Sequence, residues 1–186
     1  MEMRTRSVLL TVAVSLLVCG PLVGAAGEKS DGRSCDLSIF RTPPPVVMRT
    51  FQHFQNHYVR IRSPRYTTPL VASLDVLTGL SVPERRVLVR AEFEIFTQVL
   101  GNVTEETLGV LWRKVCNTLN FITDRLTQCV MMDDLNTDQY STELSLLLKR
   151  LKELKDDPAS SSDRAVGDLV QLLNEHLTCV AARSSR

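Results

Sequence analysis

The sequence predicts an all-α fold, a bundle of five to six amphipathic helices that forms one domain. Apolar residues recur every three or four positions along most of the chain, which is the period of a helix with one buried face. Runs that alternate polar and apolar residues between tight turns, as strands do, are nearly absent. Amphipathic helices bury their apolar faces on one another, so these segments are expected to pack as a bundle.

The first 26 residues have the pattern of a secretory leader. Arg4 and Arg6 precede an apolar run at 8–18, Gly20 and Pro21 break that run, and small residues follow. The run holds 11 residues, whereas a bilayer span needs roughly 20. We therefore expect residues 1–26 to be removed, leaving residues 27–186 as a single secreted domain that does not insert into a membrane.

Three prolines, at 43–45, precede the first helix of the mature chain. Proline suits a helix start because its missing N–H has no partner there. The residue before Pro64 is pushed out of the α region, so the helix should end near that point. Its apolar stripe is Val47, Phe51, Phe54, Tyr58 and Ile61. A long connection at 62–82, with a short helix near 70–77, leads to a third helix from Pro83 to Leu100.

Three further helices complete the bundle. Thr104 is expected to cap the fourth, with two glutamates favourably placed in its first turn, and the apolar stripe of that helix ends at Cys129 or Val130. Ser141 is expected to cap the fifth helix, whose basic residues lie near its C-terminus. A loop around 157–161 separates the fifth helix from the last, which Ser162 is expected to cap.

The composition excludes several classes of protein. The 186 residues carry 22 basic and 21 acidic side chains, so the chain has no basic field to hold nucleic acid, and none is expected as a partner. With 44% hydrophobic residues and a net charge of +1, the chain is too apolar and too weakly charged to be disordered.

No catalytic constellation is found, so an enzyme is not expected and no cofactor is predicted. The phosphate-binding loop, the dinucleotide fingerprint, the zinc-protease pair and the hydrolase elbow are all missing from the sequence. His53 and His57 lie four positions apart and could share a zinc ion with His176. His57 adjoins the apolar stripe and His53 lies on the polar side, so the two should not converge and no metal site is predicted.

Four cysteines remain after removal of the leader: Cys35, Cys116, Cys129 and Cys179. In a secreted protein an even number of cysteines predicts disulfides, here two, with three possible pairings. Asn102 begins an Asn-Val-Thr sequon in a predicted turn between the third and fourth helices, so it is a predicted glycosylation site.

Several segments resemble one family when their order and spacing are taken together. They are residues 34–40 (SCDLSIF), 82–87 (VPERRV), 91–93 (AEF), 126–129 (LTQC), 148–153 (LKRLKE), 168–173 (DLVQLL) and 177–181 (LTCVA). This pattern resembles the class II helical cytokines, and it is most similar to the lambda (type III) interferons and the upsilon (type IV) interferons of lower vertebrates.

The resemblance implies a secreted, monomeric, interferon-like cytokine. Such a protein would bind two class II cytokine receptor chains and start Janus kinase–STAT signalling toward an antiviral state. One chain would be ligand-specific and the other would be the shared second chain of the interleukin-10 receptor. Two alternatives stay open: another cytokine of the interleukin-10 family, and a secreted helical carrier with a small apolar ligand in a central cavity.

The resemblance also implies which residues face the receptors, although each such stripe could be an ordinary solvated helix face. The first helix, the loop after it and the last helix would face the ligand-specific chain through Arg49, His53, Tyr58, Arg60, Tyr66, Arg164, Asp168, Gln171 and Glu175. The first and fourth helices would face the shared chain through Asn56, Arg113, Asn117, Asn120 and Asp124.

The family pattern implies one disulfide directly. Its leading cysteine, before the first helix, pairs with the cysteine at the end of the fourth helix, which corresponds here to Cys35 with Cys129. That pairing leaves Cys116 and Cys179 as the second expected disulfide.

Overall fold

The computed structural model describes residues 35–62, 69–101, 105–154 and 158–182, and every regular element in these ranges is helical. The α-helices are α1 (Pro45–Arg62), α2 (Leu74–Gly79), α3 (Val82–Gly101), α4 (Glu105–Met132), α5 (Thr142–Glu153), α6 (Pro158–Gln171) and α7 (Thr178–Ala182). Short 3₁₀ turns lie at Ser38–Phe40 and Thr137–Gln139, and a π-helical turn, Leu172–Leu177, joins α6 to α7. The all-α prediction is therefore confirmed.

Some expectations fall on parts of the chain that the structure does not describe. The expected leader (1–26), Tyr66 and the sequon at Asn102 lie outside the described residues. Within the described ranges, no helix combines the length and the apolar character needed to cross a bilayer.

Four helices form the core of the bundle in the cyclic order α1, α4, α3, α6. Helix α1 packs on α4 and α6, and α3 packs on the same two helices. Helix α5 packs on α3, and α7 packs on α3 and on the first 3₁₀ turn. Because of this order, α1 contributes to the surface on both of its sides, next to α4 on one and next to α6 on the other.

Four phenylalanines fill the centre of this bundle. Phe51 and Phe54 of α1 and Phe93 and Phe96 of α3 are all 0% exposed. Each such side chain stabilises the fold by about 1.5–3 kcal/mol relative to an exposed one. The predicted stripe of α1 is buried through its middle, but Ile61, at its end, is 44% exposed.

Helix α3 is buried along most of its length, so its polar side chains need partners inside the protein. The Glu84 carboxylate accepts hydrogen bonds from the backbone N–H and the hydroxyl of Ser81, at 3.0 and 2.7 Å. It also accepts the backbone N–H of Ser141 at 2.9 Å, which ties the start of α3 to the start of α5. The neighbouring Arg85 donates to two carbonyl oxygens at the C-terminal end of α2.

A disulfide joins Cys35 to Cys129, with Cα atoms 4.8 Å apart. This is the pairing that the resemblance implies. The bond links residues 94 positions apart and restricts the unfolded chain by about 4 kcal/mol in the entropy model. It holds the segment before α1 against α4, where Phe40 packs edge-on against Phe121 with ring centroids 6.1 Å apart.

The second expected disulfide is wrong, because Cys116 and Cys179 are both free thiols. Cys179 lies on α7, which packs against α3 and the first 3₁₀ turn. Cys116 lies on α4, which is not among the helices on which α7 mainly packs. Burial raises the pKa of the Cys116 thiol to about 11.

Two predicted helix boundaries differ from the structure. Helix α6 begins at Pro158, so the segment expected to be a loop is already helical. Ser162, the expected cap, lies inside the helix, and its hydroxyl donates to the Val99 carbonyl oxygen at 3.3 Å. Pro158 could have indicated this start, because proline at the first helical position also located the start of α1 correctly. Helix α4 continues to Met132, past the end of its apolar stripe.

Two helices depart from regular α-helical winding. Helix α4 bends at Gly109, whose φ of +54° lies in the left-handed region that glycine tolerates best. The last helix, continuous from 158 to 182, widens into the π-helical turn, which buries three leucines and His176. Wide turns of this kind mark an extra residue within a helix and are often found at functional sites.

We predict that Cys116 and Cys179 titrate as two free thiols in the denatured, non-reduced mature protein. In the native protein at pH 7.5, Cys116 should alkylate with iodoacetamide at least about tenfold more slowly than in denaturant, because the thiolate is the reactive form. Mass spectrometry of the labelled peptides measures both. Recovery of a peptide that links the two cysteines would contradict the pairing in the structure.

We predict that Glu84→Gln lowers the free energy of unfolding at pH 7 by about 1–3 kcal/mol. The hydrogen bonds from Ser141 and Ser81 lower the pKa of Glu84 from 4.5 to about 2. This stabilisation should be fully present above pH 4.5 and disappear as the pH falls toward 2. Urea unfolding across this range measures the effect. The exposed Glu153→Gln is the matched control, and equal losses in the two variants would refute the role of Glu84.

Candidate functional site

An exposed apolar cleft lies between the segment that leads into α1 and the middle of α4. It encloses about 140 Å³, and its lining is almost wholly apolar. Ile39 and Phe121 contribute to this lining although they are 51% and 46% exposed. The Arg125 guanidinium lies 5.5 Å from the centroid of the Phe121 ring, within the range of a cation–π interaction. The cleft is lined by Ile39, Phe40, Pro43, Pro44, Val47, Thr118, Phe121, Ile122, Leu173 and Leu177.

Ile39 and Phe121 were not identified as site residues by the sequence analysis. Phe121 lies beside the buried stripe of α4, which passes through Leu119 and Ile122. The sequence does contain one signal for this site, because Phe121 is a large aromatic residue that does not fall on the apolar stripe of its helix. Exposed apolar side chains gathered around one cleft are typical of a surface that binds another molecule.

Exposed polar side chains lie on the two helices that border the cleft. The predicted shared-chain residues are all exposed: Asn56 on α1 and Arg113, Asn117, Asn120 and Asp124 on α4. Steps of four, three and four residues place the α4 residues on one side of the helix, next to Phe121. An apolar centre with a polar rim is the usual anatomy of a protein–protein interface.

The predicted receptor-facing residues of α1 divide into exposed and buried ones. Arg49, His53 and Arg60 are exposed. Tyr58 is only 2% exposed, and its hydroxyl donates to a carboxylate oxygen of Asp163 at 2.7 Å. Of its two predicted roles, core residue of the apolar stripe and receptor contact, the structure supports the first, because the ring is buried and the hydroxyl ties α1 to α6.

Asp168 is the second predicted surface residue that the structure places inside the protein. It is 9% exposed, and its Oδ2 accepts the backbone N–H groups of Leu70 and Val71 at 2.5 and 3.4 Å. Burial raises the pKa of Asp168, while these two hydrogen bonds oppose the rise. The predicted exposure of Asp168 is wrong, because the loop after α1 lies over this side of α6.

The other predicted residues of the last helix remain at the surface but are partly covered. Arg164, Gln171 and Glu175 are half-buried. The Gln171 side-chain amide donates to the Glu175 carboxylate at 2.9 Å. This face is therefore smaller than the sequence predicts, and part of its hydrogen-bonding capacity is already used.

A buried polar cluster lies beneath the same loop. Nδ1 of His176 is 2.6 Å from Oε2 of Glu92, and Nε2 is 3.0 Å from the Ala72 carbonyl oxygen. The Ala72 N–H donates to the other Glu92 oxygen at 3.2 Å. Burial acts to lower the pKa of His176, but the hydrogen bond and the charge of Glu92 outweigh it and raise that pKa. Sequence reasoning missed Glu92, which stands between Arg90 and Glu94 in the sequence of α3 and therefore resembles an ordinary charged surface residue.

A second cavity of about 240 Å³ lies between residues 69–72 and helices α3, α5 and α6. Five of its eleven lining residues are leucines, and Arg150 and Arg164 also line it. Both cavities are smaller than the roughly 300 Å³ at which pockets for drug-sized ligands begin. These volumes do not favour a carrier of an apolar molecule.

The three histidines do not come together. His53 and His57 are exposed on α1, whereas His176 is 0% exposed and already bonded to Glu92 and Ala72. In the part of the chain that the structure describes, no three His, Cys, Asp or Glu side chains are grouped so that they could hold a metal ion.

The chain is similar to known proteins along most of its length. The model of the family described as Interleukin-28A matches residues 32–183. Interferon lambda-3 of Gallus gallus is 26% identical over 167 residues, which cover 87% of this chain and 89% of that protein. Interferon lambda-3 of Mus musculus is 24% identical over 180 residues, which cover 94% of this chain and 93% of that protein.

We predict that Asp168→Ala lowers the free energy of unfolding by about 2–3 kcal/mol, because it leaves two backbone N–H groups of the covering loop without their acceptor. Asn174→Ala, at an exposed position of the same helix, should change stability by less than about 0.5 kcal/mol. Denaturant unfolding of both variants measures the difference. An Asp168→Ala variant as stable as Asn174→Ala would show that the loop does not depend on this carboxylate.

Proposed function

Since the chain belongs to the interleukin-28A family, and the relatives it matches are lambda interferons, we propose that it is a secreted cytokine that brings two class II cytokine receptor chains together. Janus kinases on the two chains would then activate STAT proteins and start an antiviral response. The ligand is proposed to act as a monomer after removal of residues 1–26, and Asn102 is proposed to carry an N-linked glycan.

The apolar cleft between the start of α1 and α4 is the observation that carries this proposal. Ile39 and Phe121 are exposed apolar side chains that meet at a cleft with an almost wholly apolar lining. Binding energy at interfaces is concentrated in a few such residues, with surrounding polar contacts that exclude water. The cleft is proposed to receive apolar or aromatic side chains of the shared receptor chain, with Asn56 and the polar residues of α4 as its rim.

The ligand-specific chain is proposed to bind the exposed face of α1 together with the neighbouring α6. Arg49, His53 and Arg60 are exposed there, and α6 packs next to α1. The loop after α1, with the half-buried Arg164, Gln171 and Glu175, would extend this surface. Tyr58 and Asp168 would support it from within and would not touch the receptor.

The arrangement of the helices explains how one small ligand could hold two receptors. Helix α1 lies between α4 and α6 in the cyclic order, so each receptor surface includes one side of α1. Each interface is expected to bury roughly 1,200–2,000 Å² in total. The bundle would act by geometry alone, since a rigid ligand fixes the distance and angle between the two chains.

We predict that the double substitution Ile39→Ala and Phe121→Ala reduces signalling potency by about 30-fold or more, as expected for the loss of interface hot spots. Potency is measured in reporter cells that express pairs of candidate class II receptor chains. Met131→Ala is the control, since Met131 is 77% exposed on the same helix and does not line the cleft.

The reporter assay also separates the alternatives. Response through a receptor pair that lacks the shared interleukin-10 chain would indicate another interleukin-10-family cytokine. Full potency of a double variant that unfolds at the wild-type temperature would contradict the proposed role of the cleft.

A further inference from the structure

The loop at 69–73 is held in place by side chains from three different elements. Asp168 of α6 accepts the N–H groups of Leu70 and Val71. Glu92 of α3 accepts the N–H of Ala72, and His176 of the π-helical turn meets the carbonyl oxygen of that same residue. Backbone N–H groups and a backbone carbonyl oxygen of this loop are therefore both hydrogen-bonded to side chains of α3 and of the last helix.

The two partners of the His176 ring determine its protonation state. Nδ1 faces the Glu92 carboxylate at 2.6 Å, and Nε2 faces the Ala72 carbonyl oxygen at 3.0 Å. Against an ionised Glu92 both partners are acceptors, and hydrogen bonds to both then need a hydrogen on each ring nitrogen. Either neutral tautomer would place a nitrogen lone pair against a lone pair of that carboxylate or of the carbonyl oxygen in a site that is 0% exposed. The two short contacts therefore favour the imidazolium form.

Charged groups around the ring favour the same form. The neighbouring carboxylates are Glu92 on α3, Asp168 on α6 and Glu175 in the π-helical turn. Arg164 of α6 lies near Asp168 and offsets part of that negative charge. Of the other charged groups on packed elements, Asp75 of α2 is exposed and Arg85 of α3 is bonded to carbonyl oxygens of residues 78 and 80. Negative charge therefore predominates around His176.

We propose that His176 is a positioning residue, whose protonated ring fixes the loop at 69–73 on α3 and the last helix in the conformation that the ligand-specific receptor chain binds. This inference rests on the proposed function, since it concerns the loop on that receptor surface. His176 itself does not touch the receptor, because its side chain is fully buried.

The hydrogen bonds of protonated His176 to Glu92 and Ala72 act as a clamp on the loop at 69–73. The direction of the pKa shift of His176 determines the pH range in which this clamp is closed. The folded-state pKa of His176 is raised above its ordinary value of 6.5 by Glu92, despite the opposing effect of burial. A raised value means that the clamp is fully present below pH 6.5 and is lost as the pH rises through the folded-state pKa. The loop should therefore loosen on the alkaline side and stay closed under mildly acidic conditions.

The first experiment uses the unaltered mature protein. Nitrogen-15 NMR between about pH 6 and pH 9.5 should show both His176 nitrogens protonated at the low end and one proton lost at the high end. Amide hydrogen exchange, corrected for its intrinsic pH dependence, should show protection of residues 70–72 falling about tenfold over the same titration. The N–H of Leu144, which bonds to the Ser141 hydroxyl, is the internal control and should keep its protection. A neutral ring at pH 6 would overturn the proposal.

The second experiment tests the link to receptor binding. Glu92→Gln removes the negative partner of the ring and should lower protection of residues 70–72 and signalling potency by about tenfold each. Asn174→Ala is the matched control in the last helix. If Glu92→Gln loosens the loop without lowering potency, or fails to loosen it, the positioning role is overturned. Loss of signalling in the Ile39 and Phe121 double variant would show in either case that the proposed function still stands.

Discussion

The burial of α3 is the constraint on which the rest of the structure depends. A helix that packs on α4, α5, α6 and α7 has little solvent on its inner faces, yet α3 carries Glu84, Arg85 and Glu92 at buried positions. Each finds its partner at an end of another element: the start of α5, the end of α2, and the loop at 69–73. The polar residues of α3 thus fix the connections of the bundle, while its phenylalanines fill the centre. Satisfied buried polar groups favour one arrangement over others, because a shifted helix would leave them unpaired.

The two candidate receptor surfaces differ in how they are built. The cleft at α1 and α4 is formed by helix side chains and by the leading segment that the disulfide anchors, and Ile39 and Phe121 are exposed at it. The surface at α1 and α6 includes a loop whose position depends on buried hydrogen bonds from Asp168, Glu92 and His176. Substitutions can therefore alter the first surface directly, whereas the second can also be altered by residues that no partner could reach.

Much of the fold could be predicted from the sequence because helical periodicity shows which residues face inward. The stripes of α1 and α4 and the Ser141 cap of α5 follow from periodicity and capping chemistry alone. The same periodicity placed Asp168 on an outer face, which is correct for the helix in isolation. It could not show that the loop at 69–73 covers that face, because no local pattern encodes which distant segment lies over a helix. The wrong prediction of a disulfide between Cys116 and Cys179 has the same cause, because a pairing depends on which helices meet.

The π-helical turn at Leu172–Leu177 has a consequence for how this chain compares with its relatives. A wide turn accommodates one more residue than an α-helix of the same length, and each residue of an α-helix turns the chain by roughly 100°. A protein without the extra residue would present a different side of the helix to the core beyond this point. Homologues with an uninterrupted helix would therefore need a one-residue gap within 172–177 to align Cys179 and Val180 with their structural equivalents. An ungapped alignment would shift every position after the turn by one residue relative to its structural equivalent.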